Sequence, residues 1–284
     1  MVSLIIKRDS DAPPFRRASP WPSRPFWWDA PTIPVLDSNS IHVWRAPLTP
    51  PRNIVERLSA TLSDEERSRA ARFRFERDRR RFVVARGILR DILGRYLDAE
   101  PRDIEFRTTP HGKPLLAGPI QRTVAPLCFN IAHSDDLALY AFHTKAIGVD
   151  LERVRPIPDL RILVSRVLSS REQAALEQLT LDSRLKAFLS CWTGKEAYAK
   201  ATGLGLSLQL PMIETLPLEE GGACTVVSND GRDQSGSWVL ARFTPAPHYV
   251  AAVVFGSAGA SEFWQWTSCK VLAEALPCAV GEPA

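Results

Sequence analysis

A chain of 284 residues, 45% hydrophobic and 24% charged, has the make-up of an ordinary globular protein with apolar material for one large or two small domains. It has no apolar run of roughly 18 residues, so no transmembrane helix is expected, and the start MVSLIIKRDSDAPPF lacks the apolar stretch and cleavage site of a secretory leader, so a cytosolic protein is expected. The net charge of +4 is uneven: residues 67–95 hold 11 arginines against Glu76, Asp78 and Asp91, a basic block that suits an anionic ligand, an acidic partner or RNA.

Residues 1–40 are rich in proline and carry Trp21, Trp27 and Trp28, which reads as an irregular extension whose aromatics can pack back on the body. The alternation in IHVWRA, 41–46, predicts a strand. Ser63 followed by Glu66 is a capping-box signature and opens a helix to about residue 75. A second helix is expected over 78–96, where Phe82, Ala85, Leu89 and Leu93 share a face, followed by a short strand at 104–107. LCFNIA, LALYAFH and AIGVDL then read as strands within 127–151. Helices follow near 159–168, 170–179 and 184–201, the last ended by Gly203 and Gly205. Strands are expected near 223–228, 238–243 and 248–255, and a peripheral tail from 257. Helices, strands, helices and strands in that order predict two α+β lobes meeting near 140–150, although no residue-by-residue repeat is evident. The five cysteines are scattered without paired spacing and are expected as reduced, buried thiols.

Four segments carry candidate chemistry. In IGVDLE, Asp150 and Glu152 stand at i and i+2 of a strand and project to one face. Paired hard-oxygen ligands of that kind suit Mg2+; the alternative is a solvated strand end with Glu152 paired to Arg153 or Arg155. In WTGKEAYAK, Glu196 and Lys200 share a helical face at i and i+4, the spacing of a surface salt bridge, while Lys195 is turned about 100° away. HGKP reads as a turn that brings Lys113 to the surface. In FNIAHSDD a strand ends on His133 and Ser134, a phosphate contact, a base or a structural histidine. No G-x-S-x-G, P-loop or G-x-G-x-x-G pattern occurs, which leaves serine-hydrolase and nucleotide-loop readings without support. Lysine is scarce, yet three of seven, Lys113, Lys195 and Lys200, fall inside these segments.

In this order, HGKP (111–114), FNIAHS (129–134), IGVDLE (147–152) and WTGKEAYAK (192–200) resemble the Sfp-type 4′-phosphopantetheinyl transferases over roughly residues 41–215. The resemblance implies an α+β fold of two similar lobes, a pseudo-dimer with the active site in the cleft between them. The expected division is an extension at 1–40, lobes at 41–144 and 145–256, and a tail at 257–284. Asp150, Glu152 and Glu196 would hold Mg2+, and Glu196 and Lys200 would be catalytic. Arg69, Arg81, Lys113, Pro114, His133, Ser134, Lys195 and Lys200 would bind coenzyme A as co-substrate. The implied reaction moves the 4′-phosphopantetheine arm to a serine of an apo carrier protein, an acidic helical bundle, and releases adenosine 3′,5′-bisphosphate. A monomer is implied, with no nucleic acid and no membrane as partner. Ala132 replaces the usual serine and Asp135 a common glycine, which raises the alternative of a coenzyme-binding relative with impaired catalysis.

Overall fold

The computed structural model describes residues 21–31, 34–109, 112–117, 126–216, 223–228, 237–256 and 260–265. His111, Cys269 and Cys278, and with them most of the N-terminal extension and C-terminal tail, lie outside the described residues. After a two-residue strand β1 (Trp28–Asp29), the first lobe runs β2 (Ser40–Pro47), α1 (Arg52–Ala60), α2 (Asp64–Ala71), α3 (Glu76–Leu97), β3 (Phe106–Thr108), β4 (Pro114–Leu116), β5 (Cys128–Ser134) and β6 (Leu137–His143). The second runs β7 (Ile147–Arg153), α4 (Leu160–Val167), α5 (Ser170–Glu177), α6 (Leu181–Thr202), β8 (Ile213–Glu214), β9 (Ala223–Ser228), β10 (Trp238–Phe243) and β11 (Tyr249–Phe255). Each lobe is thus a strand, three helices of which the third has 22 residues, and a return through strands.

Among the described residues these strands form two five-stranded sheets, ordered β1-β12-β2-β6-β5 and β7-β11-β10-β9-β8, with β12 at Ala260–Gln265, and a two-stranded sheet of β3 and β4. The expectation of a peripheral tail meets a different arrangement here. β12 pairs in parallel with β2 on one side and with β1 on the other. The reason lies in β2, which is buried along nearly its whole length and so requires backbone partners on both edges. The described part of the extension packs back too: Trp21 stacks on Phe255 at 5.7 Å, and the Thr244 N–H donates to the Ser23 carbonyl.

The layers are helices, sheet, sheet, helices. Trp44, Leu58, Ile88, Leu89 and Phe142 form a core between α1, α3 and the first sheet. Ile41, Val43, Ala132, Val149, Val253 and Phe255 fill the space between the sheets. α6 covers the outer face of the second sheet through Ala197, Tyr198, Phe188 and Cys191. Cys128 is half-buried and Cys191 and Cys224 are buried, all three as free thiols. Among the described residues no helix is long and apolar enough to cross a membrane.

α2 begins as read, with the Ser63 hydroxyl accepting the Glu66 N–H and the Glu66 carboxylate accepting the Ser63 N–H. α5 begins with the same device at Ser169 and Glu172. In both lobes the boxed glutamate is buried and also takes a cation from the third helix. Glu66 accepts from Arg86 and Arg90 on α3, at 2.6 and 2.7 Å, and Glu172 pairs with Lys195 on α6 at 2.6 Å. Part of the basic block, Arg86 and Arg90, is therefore engaged inside the first lobe: Arg90 is 2% exposed and also donates to the carbonyls of Pro101 and Ile104.

Candidate functional site

The candidate site sits where β7, β5 and α6 meet. β7 is paired on one edge with β11, so Asp150 and Glu152 project toward α6 while Val149 and Leu151 enter the core between the sheets. α6 approaches β7 at Gly148, where an added Cβ would lie 1.9 Å from the Ala197 carbonyl oxygen and 2.6 Å from the Ala201 nitrogen. Only glycine permits that backbone contact, and the contact sets Glu196 and Lys200 beside the β7 carboxylates. The Lys200 ammonium donates to Asp150 Oδ1 at 2.6 Å and to the Val149 carbonyl at 3.2 Å.

All three carboxylates are shifted toward the protonated form. Burial raises Asp150, with Lys200 opposing. Burial raises Glu152, and the Asp150 charge adds to it. Burial raises Glu196 as well, followed by the charges of Asp150 and Glu152. The group therefore feels its own like charge in a partly desolvated cleft. Asp150 Oδ2 is buried and has no hydrogen-bond partner. Among the described residues no three His, Cys, Asp or Glu side chains stand together as a ready-made metal cage; Lys200 pairs with one Asp150 oxygen.

The N-terminal lobe supplies the opposite wall. Lys113, Pro114, Asn130 and Ile131 line a cavity of about 330 Å³ together with Glu196 and Lys200. Lys113 donates to the carbonyls of Ile147 and Lys200, at 3.3 and 2.5 Å, and burial holds its ammonium below the usual lysine value. Pro114 also borders a second cavity of about 680 Å³, lined by Arg69, Phe82, Arg86 and Phe106. His133 is exposed at the end of β5; desolvation in the cleft, then the charges of Lys200 and Arg81, hold its imidazole below the ordinary value. Arg81 reaches the same mouth and donates to Asp136 Oδ1. Carboxylates, two lysines, a histidine and arginines thus face one cleft between lobes, an arrangement able to hold a polyphosphate and a cation.

Comparison with known proteins bears on what such a cleft is for. Residues 146–254 match the model of the 4′-phosphopantetheinyl transferase superfamily, and residues 48–145 match that of 4′-phosphopantetheinyl transferase, N-terminal. The 4′-phosphopantetheinyl transferase HetI of Nostoc sp. is 40% identical over 242 residues, covering 84% of this chain and 98% of that protein. The 4′-phosphopantetheinyl transferase psf-1 of Bacillus pumilus is 30% identical over 77% of this chain and 89% of its own length. Sfp of Bacillus subtilis is 32% identical over 55% of this chain and 66% of its own. The chain belongs to the 4′-phosphopantetheinyl transferase family. A solved structure, the holo-[acyl-carrier-protein] synthase of Thermotoga maritima, is 22% identical, with a TM-score of 0.31 over 38% of this chain and 61% of that one.

In this 4′-phosphopantetheinyl transferase not every expected residue reaches the cleft. Lys195 does not: it is fully buried, paired with Glu172 and donating to the carbonyls of Leu210 and Ile213 at 2.8 and 2.5 Å. Helical geometry turns it roughly 140° from Lys200, which is why two lysines of one motif serve different neighbourhoods. Ser134 is buried, and its hydroxyl meets Glu152 Oε2 at 2.9 Å. Both departures from the family pattern have a local account. The Ala132 methyl is buried between the sheets. Asp135 has a φ of 47°, the left-handed turn geometry that favours glycine, and its carboxylate is tied to Arg153 at 3.0 Å. The hydrogen bond from Arg153, foremost, holds its pKa down.

Asn130 is the site residue that motif reading passed over. Its side-chain oxygen accepts the Val149 N–H at 2.9 Å and it lines the 330 Å³ cavity. The signal was available, because Asn130 and Ser134 lie at i and i+4 of one strand and so share a face. Gly148 gives a prediction of its own. Gly148→Ala is expected to destabilise the transferase by about 1–3 kcal/mol through forced separation of β7 and α6, and to weaken transfer in parallel. A urea midpoint equal to wild type would show that the strand and helix are not in contact there.

Proposed function

We propose that this enzyme transfers the 4′-phosphopantetheine group of coenzyme A to a serine hydroxyl of an apo carrier protein and releases adenosine 3′,5′-bisphosphate. The observation that supports this most is the junction of Asp150, Glu152, Glu196 and Lys200, with Asp150 Oδ2 buried and unpartnered beside like charges. A hard divalent cation fits that donor set, and Asp150, Glu152 and Glu196 would hold it. Bound there, Mg2+ supplies charge neutralisation at the pyrophosphate oxygens.

The residues of the chain do the rest. Lys200 neutralises the oxygen of the departing α-phosphate. Lys113 and Pro114 border the nucleotide, Arg81 and Arg69 continue a positive wall toward its 3′-phosphate, and His133 joins them as a hydrogen-bonding imidazole. The carrier's serine oxygen attacks the β-phosphorus, a new P–O bond forms, and the bond from that phosphorus to the pyrophosphate bridging oxygen breaks. The serine proton passes to the Glu196 carboxylate, whose raised pKa suits it to accept. No covalent enzyme intermediate is needed. The lobes act as a single cytoplasmic monomer divided near residue 145, with the exposed Arg72, Arg74, Arg77 and Arg79 favouring encounter with acidic carriers.

The test is incubation with coenzyme A, Mg2+ and a panel of apo acyl-, aryl- and peptidyl-carrier proteins, followed by intact-mass measurement. The expected result is a gain of one phosphopantetheine arm on at least one carrier, with matching release of adenosine 3′,5′-bisphosphate. Coenzyme A binding without any gain across the panel would overturn the proposal.

A further inference from the structure

β5 and β7 are edge strands of different sheets, yet they run side by side at the lobe seam. Side chains take the place of a backbone ladder there. Asn130 Oδ1 accepts the Val149 N–H, and four residues further along each strand Ser134 Oγ accepts the Arg153 N–H at 3.1 Å. A hydroxyl has one proton and two lone pairs. With the Arg153 N–H on one lone pair, the Ser134 proton is directed to Glu152 Oε2 at 2.9 Å. Ser134 is 8% exposed, so water does not compete freely for that proton. Asp135, the next residue, reinforces the grip through Arg153, and Arg155 lies 3.8 Å from it.

We propose that Ser134 is a positioning residue: it fixes the Glu152 carboxylate from across the seam, engaging Oε2 and leaving Oε1 to the cation. This rests on the cation site proposed above, and it differs from the 3′-phosphate contact that the family resemblance implies for the same residue. Outer hydrogen-bond partners of ligating carboxylates commonly change metal affinity by about 10–100-fold.

The experiment is a Mg2+ titration of the coenzyme-free protein followed by thermal unfolding, run beside steady-state kinetics. Ser134→Ala, and the near-isosteric Ser134→Cys in case alanine perturbs folding, are expected to raise the Mg2+ midpoint about tenfold or more. The KM for coenzyme A at saturating Mg2+ should stay within about twofold of wild type, and Ser134→Thr should restore the midpoint. An unchanged Mg2+ midpoint, or a loss confined to the KM for coenzyme A, overturns the positioning role while leaving the cation site intact. If wild type itself shows no Mg2+-dependent stabilisation, the cation site fails and this role falls with it.

Discussion

Asp150→Ala and Glu196→Gln are each expected to lower the turnover of phosphopantetheine transfer by about a thousandfold or more, equivalent to roughly 4 kcal/mol of transition-state stabilisation. The two substitutions act on different elements, a strand and a helix, so a shared loss would locate the chemistry at their junction. Stability should move in the other direction from activity. Burial raises the pKa of Asp150 and of Glu196, and the Asp150 charge raises Glu196 further, so removing either buried charge lifts a cost of folding. Circular dichroism and the thermal midpoint without Mg2+ should therefore match or exceed wild type. Stabilisation by added Mg2+ should be lost in both variants. Turnover near wild type in either one would sink the metal assignment.

The second large effect is on folding. Lys195→Met or Glu172→Ala is expected to cost about 3–5 kcal/mol, because each leaves a charge buried without its partner. Both side chains are wholly shielded from solvent, and the pair is 2.6 Å long. Burial already pulls the Lys195 ammonium below its usual value, with the Glu172 charge opposing. Glu172 has further duties: its second oxygen accepts from both the N–H and the hydroxyl of Thr215 at 2.8 Å, tying α5 to the chain after β8. A thermal midpoint lower by roughly 10 °C is the expected reading. The double variant Glu172→Leu with Lys195→Met should recover part of it, since no lone charge remains. If Lys195→Met instead kept its midpoint and raised the KM for coenzyme A, the buried pairing would be wrong and the residue would belong to the cleft.

Lys195 also shows where sequence reading succeeds and where it stops. The periodicity of α3 was legible because it follows the helical period on its buried face, and β5, β6 and β7 were legible as short apolar runs, β6 and most of β7 being buried on both faces. The Ser63–Glu66 box was legible because it is local. α1 was not, because it starts after Pro51 with no side-chain cap, although Ile54 and Leu58 share its buried face. β12 was not, because its partners lie more than 200 residues away in sequence. Within the site, motif order placed Asp150, Glu152, Glu196 and Lys200 together. It could not assign hydroxyl and lysine partners, which depend on what each side chain meets across the lobes: Ser134 meets Glu152, and Lys195 meets Glu172.

The matched lobes carry one more consequence. An interval of 106 residues separates Ser63 from Ser169, Glu66 from Glu172, and Ile41 at the head of β2 from Ile147 at the head of β7. β2 and β7 are also alike in pairing with the last strand of their own lobe, β6 and β11, although β12 covers the other edge of β2 and, among the described residues, the other edge of β7 carries no strand of its sheet. At that interval Asp150 corresponds to Trp44 and Glu152 to Ala46, and both of these are fully buried in the first core. At matching positions of the two lobes, then, one strand carries acids and the other carries buried apolar side chains. The two halves thus divide the work: the second brings the carboxylates and Lys200, and the first brings the facing wall of Lys113, Pro114 and Asn130, so the cleft at their seam needs both and neither lobe repeats it alone.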